Sequence, residues 1–319
     1  MREPAVALIL PVYNEAAHIR AHVYELMDIL QRDGVDFAIT LVDDGSKDMT
    51  WPELCALAEG DARIRALRFS RNFGKEAAIC AGLFETDAPR YLIMDSDLQH
   101  PPRYIKAMMA KMDETGCDIV DGVKESRGRE SALYKLCARG YYRLLKWVSG
   151  MELDHSSDFK LINRKVVQSL RQFGEGRLFF RGLVQWVGFT HAEMPFQVDS
   201  RTGGKSTFSM KRRLRFAVDS VLAFTSKPLY ITVVAAVGFF IGALILAVQT
   251  LFNYFSGRAV SGFTTVILLL LIMGSVLSLS LAVIGAYISR IFDEVKARPT
   301  FIISEQAGEA GREEEHHDH

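Results

Sequence analysis

The chain has no net charge of either sign: 38 Lys and Arg are balanced by 38 Asp and Glu over 319 residues. Without a global positive field, nucleic acid is excluded as an expected partner. Cysteine is sparse. Cys55, Cys80, Cys117 and Cys137 lack the paired spacing of a metal site and read as ordinary thiols in a reducing compartment. An internal repeat is missing, and so is a signal peptide. The opening run Ala5 to Val12 is too short for one, contains Pro11 and meets Asn14 and Glu15 at once. Most telling, Leu229 to Phe252 and Phe263 to Ser289 contain no Asp, Glu, Lys or Arg.

Each of these two stretches reaches the roughly 20 apolar residues that a helix needs to cross a hydrocarbon core. Lys211, Arg212, Arg213, Arg215 and Lys227 precede the first, Arg290, Lys296 and Arg298 follow the second, and only Arg258 lies between. The positive-inside tendency predicts both flanks in the cytoplasm, with Asn253 to Gly262 as an external turn and the spans as a hairpin. The segment just before, 205–228, mixes cations with Phe208, Met210, Leu214, Phe216, Val218, Val221, Leu222 and Phe224. Such a helix lies well in a membrane interface, apolar side down, although a solvated basic face reads the same way. Beyond the spans, 290–319 reads as a cytoplasmic tail. Pro299 to Ser304 suits a short strand, and the acidic, His-rich Glu313 to His319 suits disorder.

Residues 1–204 alternate short apolar runs with amphipathic stretches, as strands and crossover helices of an α/β sheet do. Val6 to Leu10, Phe37 to Val42, Ile64 to Phe69, Tyr91 to Met94 and Asp118 to Val123 are the strand candidates. Between the first two, Ile19, Val23, Leu26, Met27 and Leu30 recur at helical spacing. Polar residues gather after the strands, where such a sheet places its ligand crevice. Asp43 and Asp44 precede Gly45-Ser46; Asp95 and Asp97 repeat the arrangement, with Gln99 one alternate position on. Two carboxylates so spaced suit a hard cation, which would neutralise a departing diphosphate. An Asp-x-Asp pair equally ends a strand or caps a helix, and Asp43 to Ser46 equally makes a plain turn. His100 and His155 have no partner at metal spacing and read as packing or surface histidines. Acidic chemistry beside uncharged spans points to a lipid substrate.

Five segments in order carry a resemblance: Leu10-Pro11-Val12-Tyr13-Asn14-Glu15, Val42-Asp43-Asp44-Gly45-Ser46, Arg71-Asn72-Phe73-Gly74-Lys75, Asp95-Ser96-Asp97-Leu98-Gln99 and Arg201-Thr202-Gly203-Gly204-Lys205-Ser206. Together they resemble the motif set of inverting GT-A glycosyltransferases, and more narrowly that of polyprenyl-phosphate glycosyltransferases such as the bactoprenol glucosyltransferases and dolichol-phosphate mannose synthases. The resemblance implies an α/β GT-A (Rossmann-like) catalytic domain, interfacial amphipathic helices and a two-helix transmembrane hairpin. It also implies site residues. Pro11, Tyr13, Glu15, Asp43 and Asp44 would surround the nucleoside of a nucleotide sugar, with Lys75, Asp95 and Ser206 also on the donor side. Asp95, Asp97 and Gln99 would hold Mg2+ or Mn2+, Arg201 would reach the donor diphosphate from a loop, and Asp158 would lie near the reaction centre. Lys124, Arg127, Lys135 and Arg139 are candidates for the acceptor phosphate. There the chain departs from its relatives, with Gly122-Val123-Lys124, Lys135 and Ala138 where they have arginine and serine, and lysine offers no bidentate fork.

The implied reaction is a single displacement with inversion. An ionised lipid phosphate attacks the anomeric carbon without a strong general base. Uridine diphosphate glucose as donor, undecaprenyl phosphate as acceptor, the cytoplasmic side of a bacterial inner membrane as location and a homo-oligomer, a tetramer in similar enzymes, complete the expectation. Two other readings stay open. A processive polysaccharide synthase shares the core, but its Gln-x-x-Arg-Trp motif is missing here. A non-catalytic membrane-anchored binder of nucleotide sugars would not need Asp95, Asp97 and Arg201 together.

Overall fold

The apolar runs of the first hundred residues become the inner strands of one sheet. The structure is a computed structural model, and it describes residues 3–124, 158–172, 180–197, 227–256, 262–296 and 298–308. Strand β1 (Val6–Val12) is buried along its whole length. It pairs in parallel with β2 (Phe37–Asp43) on one side and β4 (Arg90–Ile93) on the other, while β3 (Ile64–Phe69) extends the sheet beyond β2. Alternation along β1 divides its side chains between two cores. Val6, Leu8, Leu10 and Val12 join one cluster, and Ala7 and Ile9 the other.

The first cluster is closed by α1 (Ile19–Arg32), α2 (Thr50–Gly60) and α4 (Ile105–Thr115). All five apolar positions read from the sequence, Ile19, Val23, Leu26, Met27 and Leu30, are the buried face of α1. On the opposite side α3 (Lys75–Glu85) lies close over β1. A Cβ on Gly82 would come within 2.4 Å of Ile9 Cγ2, so only glycine allows that approach.

Beyond β4 the sheet turns mixed. Its order is β7-β5-β6-β4-β1-β2-β3-β8, with β5 (Ile119–Lys124), β6 (Lys160–Asn163), β7 (His191–Phe196) and β8 (Ile303–Ala307). Strand β6 is antiparallel to both β4 and β5, and β7 is parallel to β5. Helix α5 (Arg164–Leu170) follows β6 and is capped by Asn163, whose side chain accepts the Val166 N–H. Helix α6 (Phe180–Trp186) packs beside it, Phe180 and Leu183 lying with Val166, Val167 and Leu170. The strand expected at Pro299 to Ser304 forms slightly later, as β8, antiparallel to β3. The preceding residues serve as its approach, with Phe301 stacked on Phe69 at 5.4 Å.

Two long helices form a separate compact unit: α7 (Lys227–Phe255) and α8 (Phe263–Val295), which touch one another. Within α8, Ile272–Ser289 has a mean hydropathy of 1.9, and none of it is buried. Among the described residues this is the one helix long and apolar enough to cross a membrane; in α7 the apolar stretch is the shorter Val234–Leu246. The interfacial segment expected before residue 227 lies outside the described residues, as does the end of the tail, 309–319.

Strands β5, β6 and β7 share a buried charge cluster. Lys160, 1% exposed, is bonded to Asp121, and His191 Nδ1 lies 2.7 Å from the other Asp121 oxygen. Burial alone would raise the Asp121 pKa, but the His191 bond and the Lys160 charge outweigh it and hold the carboxyl below its usual value. Asp121→Ala, which strands the ammonium, is expected to cost about 3–5 kcal/mol in chemical denaturation. Because the folded pKa is depressed, the Asp121 contribution is full above the unfolded value of about 3.9 and lost as pH falls through the lower folded one. Wild type and variant should therefore differ fully above about pH 4 and converge only as pH falls below the depressed folded value.

Candidate functional site

The site lies at the carboxyl ends of β1, β2 and β4, where loops leave the sheet together. After β1 the chain turns sharply at Asn14, φ 54°, a left-handed conformation that asparagine tolerates. Its N–H donates to Ser46 Oγ at 2.8 Å, its Oδ1 accepts the Lys47 N–H at 2.9 Å, and the Glu15 N–H donates to Thr50 Oγ1 at 2.9 Å. These bonds bind the Tyr13-Asn14-Glu15 loop to the turn after β2. In that turn Gly45 has φ 66°, and a Cβ there would sit 2.5 Å from the Arg71 carbonyl carbon. Glycine thus lets the loop after β3 lie directly on the turn.

The carboxylate of Asp44 locks this contact. It accepts the Phe73 N–H at 2.7 Å and the Gly74 N–H at 3.0 Å, which fixes the start of α3 and with it Lys75. Lysine in the first turn opposes the helix dipole. Two carboxylates compensate: Lys75 Nζ lies 2.5 Å from Asp95 Oδ1 and 2.6 Å from Asp158 Oδ2. Burial pulls the Lys75 pKa down, but Asp95 and Asp158 outweigh it and hold the ammonium above its ordinary value.

The turn after β4 is held from below. Ser96 Oγ donates to the Pro11 carbonyl at 3.2 Å, and the Asp95 N–H donates to His100 Nδ1 at 3.2 Å. Leu98 adopts φ 54°, which costs a branched residue about 1–2 kcal/mol; its side chain packs on the core in return. The kink leaves Asp97 exposed, with Oδ1 accepting the Gln99 N–H at 3.1 Å. His100 is a packing histidine, as its spacing suggested, stacked on Phe159 at 5.2 Å, and burial lowers its pKa.

Of the residues singled out in the sequence, Pro11, Tyr13, Glu15, Asp44, Lys75, Asp95 and Asp97 line one cleft, joined by Val12 and Ser96. Tyr13 is 43% exposed there and offers a free ring face. Glu15 is raised by burial, and the neighbouring Asp97, Asp95 and Asp48 add to the effect; its Oε2 is buried with no hydrogen-bond partner. Asp43 sits behind the cleft, fully buried, its Oδ1 accepting the Ser46 N–H at 2.9 Å. Burial raises the carboxyls of both Asp43 and Asp44. Asp158, beside Lys75, is nearly buried, and Lys124 is exposed at the end of β5. Arg127, Lys135, Arg139, His155, Arg201 and Ser206 lie outside the described residues. Among the described residues no three His, Cys, Asp or Glu side chains are gathered to hold a metal ion. Sequence reasoning missed the placement of Lys75 between two carboxylates and the bond from Asp95 to His100, since neither partner is a neighbour at motif spacing.

The sequence over residues 7–171, which carries the acidic turns after β2 and β4, matches the model of Glycosyl transferase family 2. The chain belongs to that family. It is a glycosyltransferase with a GT-A, Rossmann-like α/β domain. The uncharacterized glycosyltransferase YkcC of Bacillus subtilis is 32% identical over 304 residues, 95% of this chain and 94% of the relative. The prophage bactoprenol glucosyl transferase homolog of Escherichia coli is 30% identical, over 93% and 98% of the two chains. The SfII prophage-derived bactoprenol glucosyl transferase of Shigella flexneri is 31% identical, over 93% and 97%. Among solved structures, glucosyl-3-phosphoglycerate synthase from Mycobacterium tuberculosis, in complex with Mn2+, UDP-glucose and phosphoglyceric acid, is more distant. It has a TM-score of 0.47 and 18% identity, over 69% of this chain and 78% of that one.

Lys75→Met removes the cation from between Asp95 and Asp158 and leaves two carboxylates facing each other. Sugar transfer is expected to fall about 100-fold in kcat/KM, roughly 2.7 kcal/mol. Steady-state kinetics with a melting curve to verify folding checks this; a change under about threefold would mean the ammonium has no part in transfer.

Proposed function

We propose that this glycosyltransferase moves a sugar, glucose being the first choice, from a uridine diphosphate donor to a polyprenyl phosphate with inversion at the anomeric carbon. One observation carries the reading: relatives named as bactoprenol glucosyl transferases align over 93% of the chain, a length that takes in the long helices as well as the sheet. The bare apolar helix Ile272–Ser289 supports a membrane location, since in water that surface would be exposed at high cost. In this reading α7 supplies the second span, both ends of the helix pair are cytoplasmic, and copies of the chain assemble through the helices.

The donor enters the cleft with its nucleoside against Pro11, Tyr13 and Glu15 and its diphosphate toward Asp95 and Asp97. That position is acidic, and the diphosphate is anionic, so a cation is required between them. The residues fit Mg2+ or Mn2+. Asp95, Asp97 and Gln99 are hard oxygen donors, and one or two carboxylates suffice when substrate phosphates and water complete the shell. When bound, the ion neutralises charge on the leaving diphosphate. The remaining work belongs to the chain. Lys75, held by Asp158, faces the donor, while Lys124 and the basic residues near 127–139 attract the acceptor phosphate. An ionised phosphate oxygen then forms the bond to the anomeric carbon as the bond to uridine diphosphate breaks. Arg201 supports the diphosphate as it departs.

Incubation of the full chain in detergent with labelled UDP-glucose, undecaprenyl phosphate and Mg2+ or Mn2+ should yield an organic-soluble labelled lipid. Chelation should abolish it, and Asp97→Ala should lower kcat by about 100-fold or more. Arg201→Ala should depress kcat more than it raises the KM for lipid. Tight donor binding with no transfer to any polyprenyl phosphate would overturn the reading.

A further inference from the structure

The end of the chain returns to the sheet at a point that matters for the cleft. Strand β8 runs along the outer edge of β3, and its Glu305 accepts two hydrogen bonds. Arg68 Nη1 donates to Oε1 at 2.6 Å and Trp51 Nε1 donates to Oε2 at 2.9 Å. The same Arg68 guanidinium turns its Nε toward Asp43, 3.5 Å from Oδ2. Asp43 is fully buried and has no hydrogen bond at that oxygen. At its other oxygen it accepts the Ser46 N–H, and Ser46 Oγ accepts the Asn14 N–H. A chain of direct contacts therefore leads from β8, through β3 and β2, to the loop that forms the nucleoside wall of the cleft.

We propose that Glu305 is a positioning residue for the nucleoside half of the donor, aiming Arg68 at Asp43 and so fixing the Tyr13-Asn14-Glu15 loop. The inference rests on the proposed nucleotide-sugar reading of the cleft. Its physical basis is the fork of Arg68. With Nη1 held by Glu305, the guanidinium keeps a positive charge beside a carboxylate that has left water. With Glu305 gone, the side chain is free to swing to solvent, where a cation is better hydrated. Asp43 then loses its counter-charge and the turn loses the group that orders it. Trp51, whose ring lies 5.7 Å from the same guanidinium, holds Glu305 from the other side.

Glutamine at position 305 keeps the shape but has one acceptor oxygen for two donors. In Glu305→Gln, the Kd for UDP measured calorimetrically with Mn2+ and the KM for UDP-sugar are both expected to rise about tenfold, with kcat and the lipid KM within about twofold. Arg68→Lys, which keeps the charge and loses the fork, should reproduce the donor defect. Gln306→Ala is the control for mere strand docking, because it removes the 2.7 Å bond from Arg65 on the same strand and leaves Arg68 alone. It should bind UDP like wild type. Combining Glu305→Gln with Asp43→Asn should give less than the sum of the two single effects. The proposal is overturned if Glu305→Gln binds UDP normally, if Gln306→Ala weakens binding equally, or if the double variant is additive. In those cases a wild-type enzyme that binds UDP keeps the parent reading intact, whereas a wild type that binds no nucleotide overturns both.

Discussion

An ammonium held between two carboxylates organises this molecule. Lys75 begins α3, Asp95 follows β4, and Asp158 lies two residues before β6, so one ion-pair network joins the start of a helix to the ends of two neighbouring strands. The energetic logic is mutual. A lysine at a helix N-terminus, half removed from water, is tolerated only because the two acids face it, and the acids tolerate each other because the lysine lies between them.

The backbone around this network is shaped by residues with unusual freedom or unusual burden. Gly45 and Gly82 permit approaches that no side chain would allow, one loop on turn and one helix on strand. Leu98 does the opposite, holding a strained conformation while its half-buried side chain packs on the core. The result is that Asp97 points outward while Ser96 and His100 are locked inward. Adjacent aspartates are divided in the same way at the end of β2: Asp44 opens to the cleft and Asp43 is enclosed. Alternation along an extended chain imposes that division.

Much of the central fold was legible because it is local. The apolar face of α1 and the span of β3 follow directly from periodicity, and β1, β2, β4 and β5 differ from expectation only at their ends. Strands β6 and β7 were not legible. Lys160 and His191 look like surface residues in sequence, and only the distant Asp121 explains their placement in a sheet interior. Six of the proposed site residues, Pro11, Tyr13, Glu15, Asp44, Asp95 and Asp97, share the cleft because they sit at or just beyond strand ends, and Lys75 joins them from the start of α3. The placement of Arg68 beside Asp43 and the reach of Glu305 depend on partners far along the chain, which no spacing rule encodes.

That reach has a consequence for how the protein is made. Arg68 and Glu305 are separated by 237 residues, and both long helices are synthesised in the interval. Until the ribosome has delivered those helices, β3 presents a bare edge, with unpaired amides ready to recruit a foreign strand. Completion of the sheet is thus a late event in biogenesis. A nascent chain delayed before that closure keeps the edge of β3 exposed.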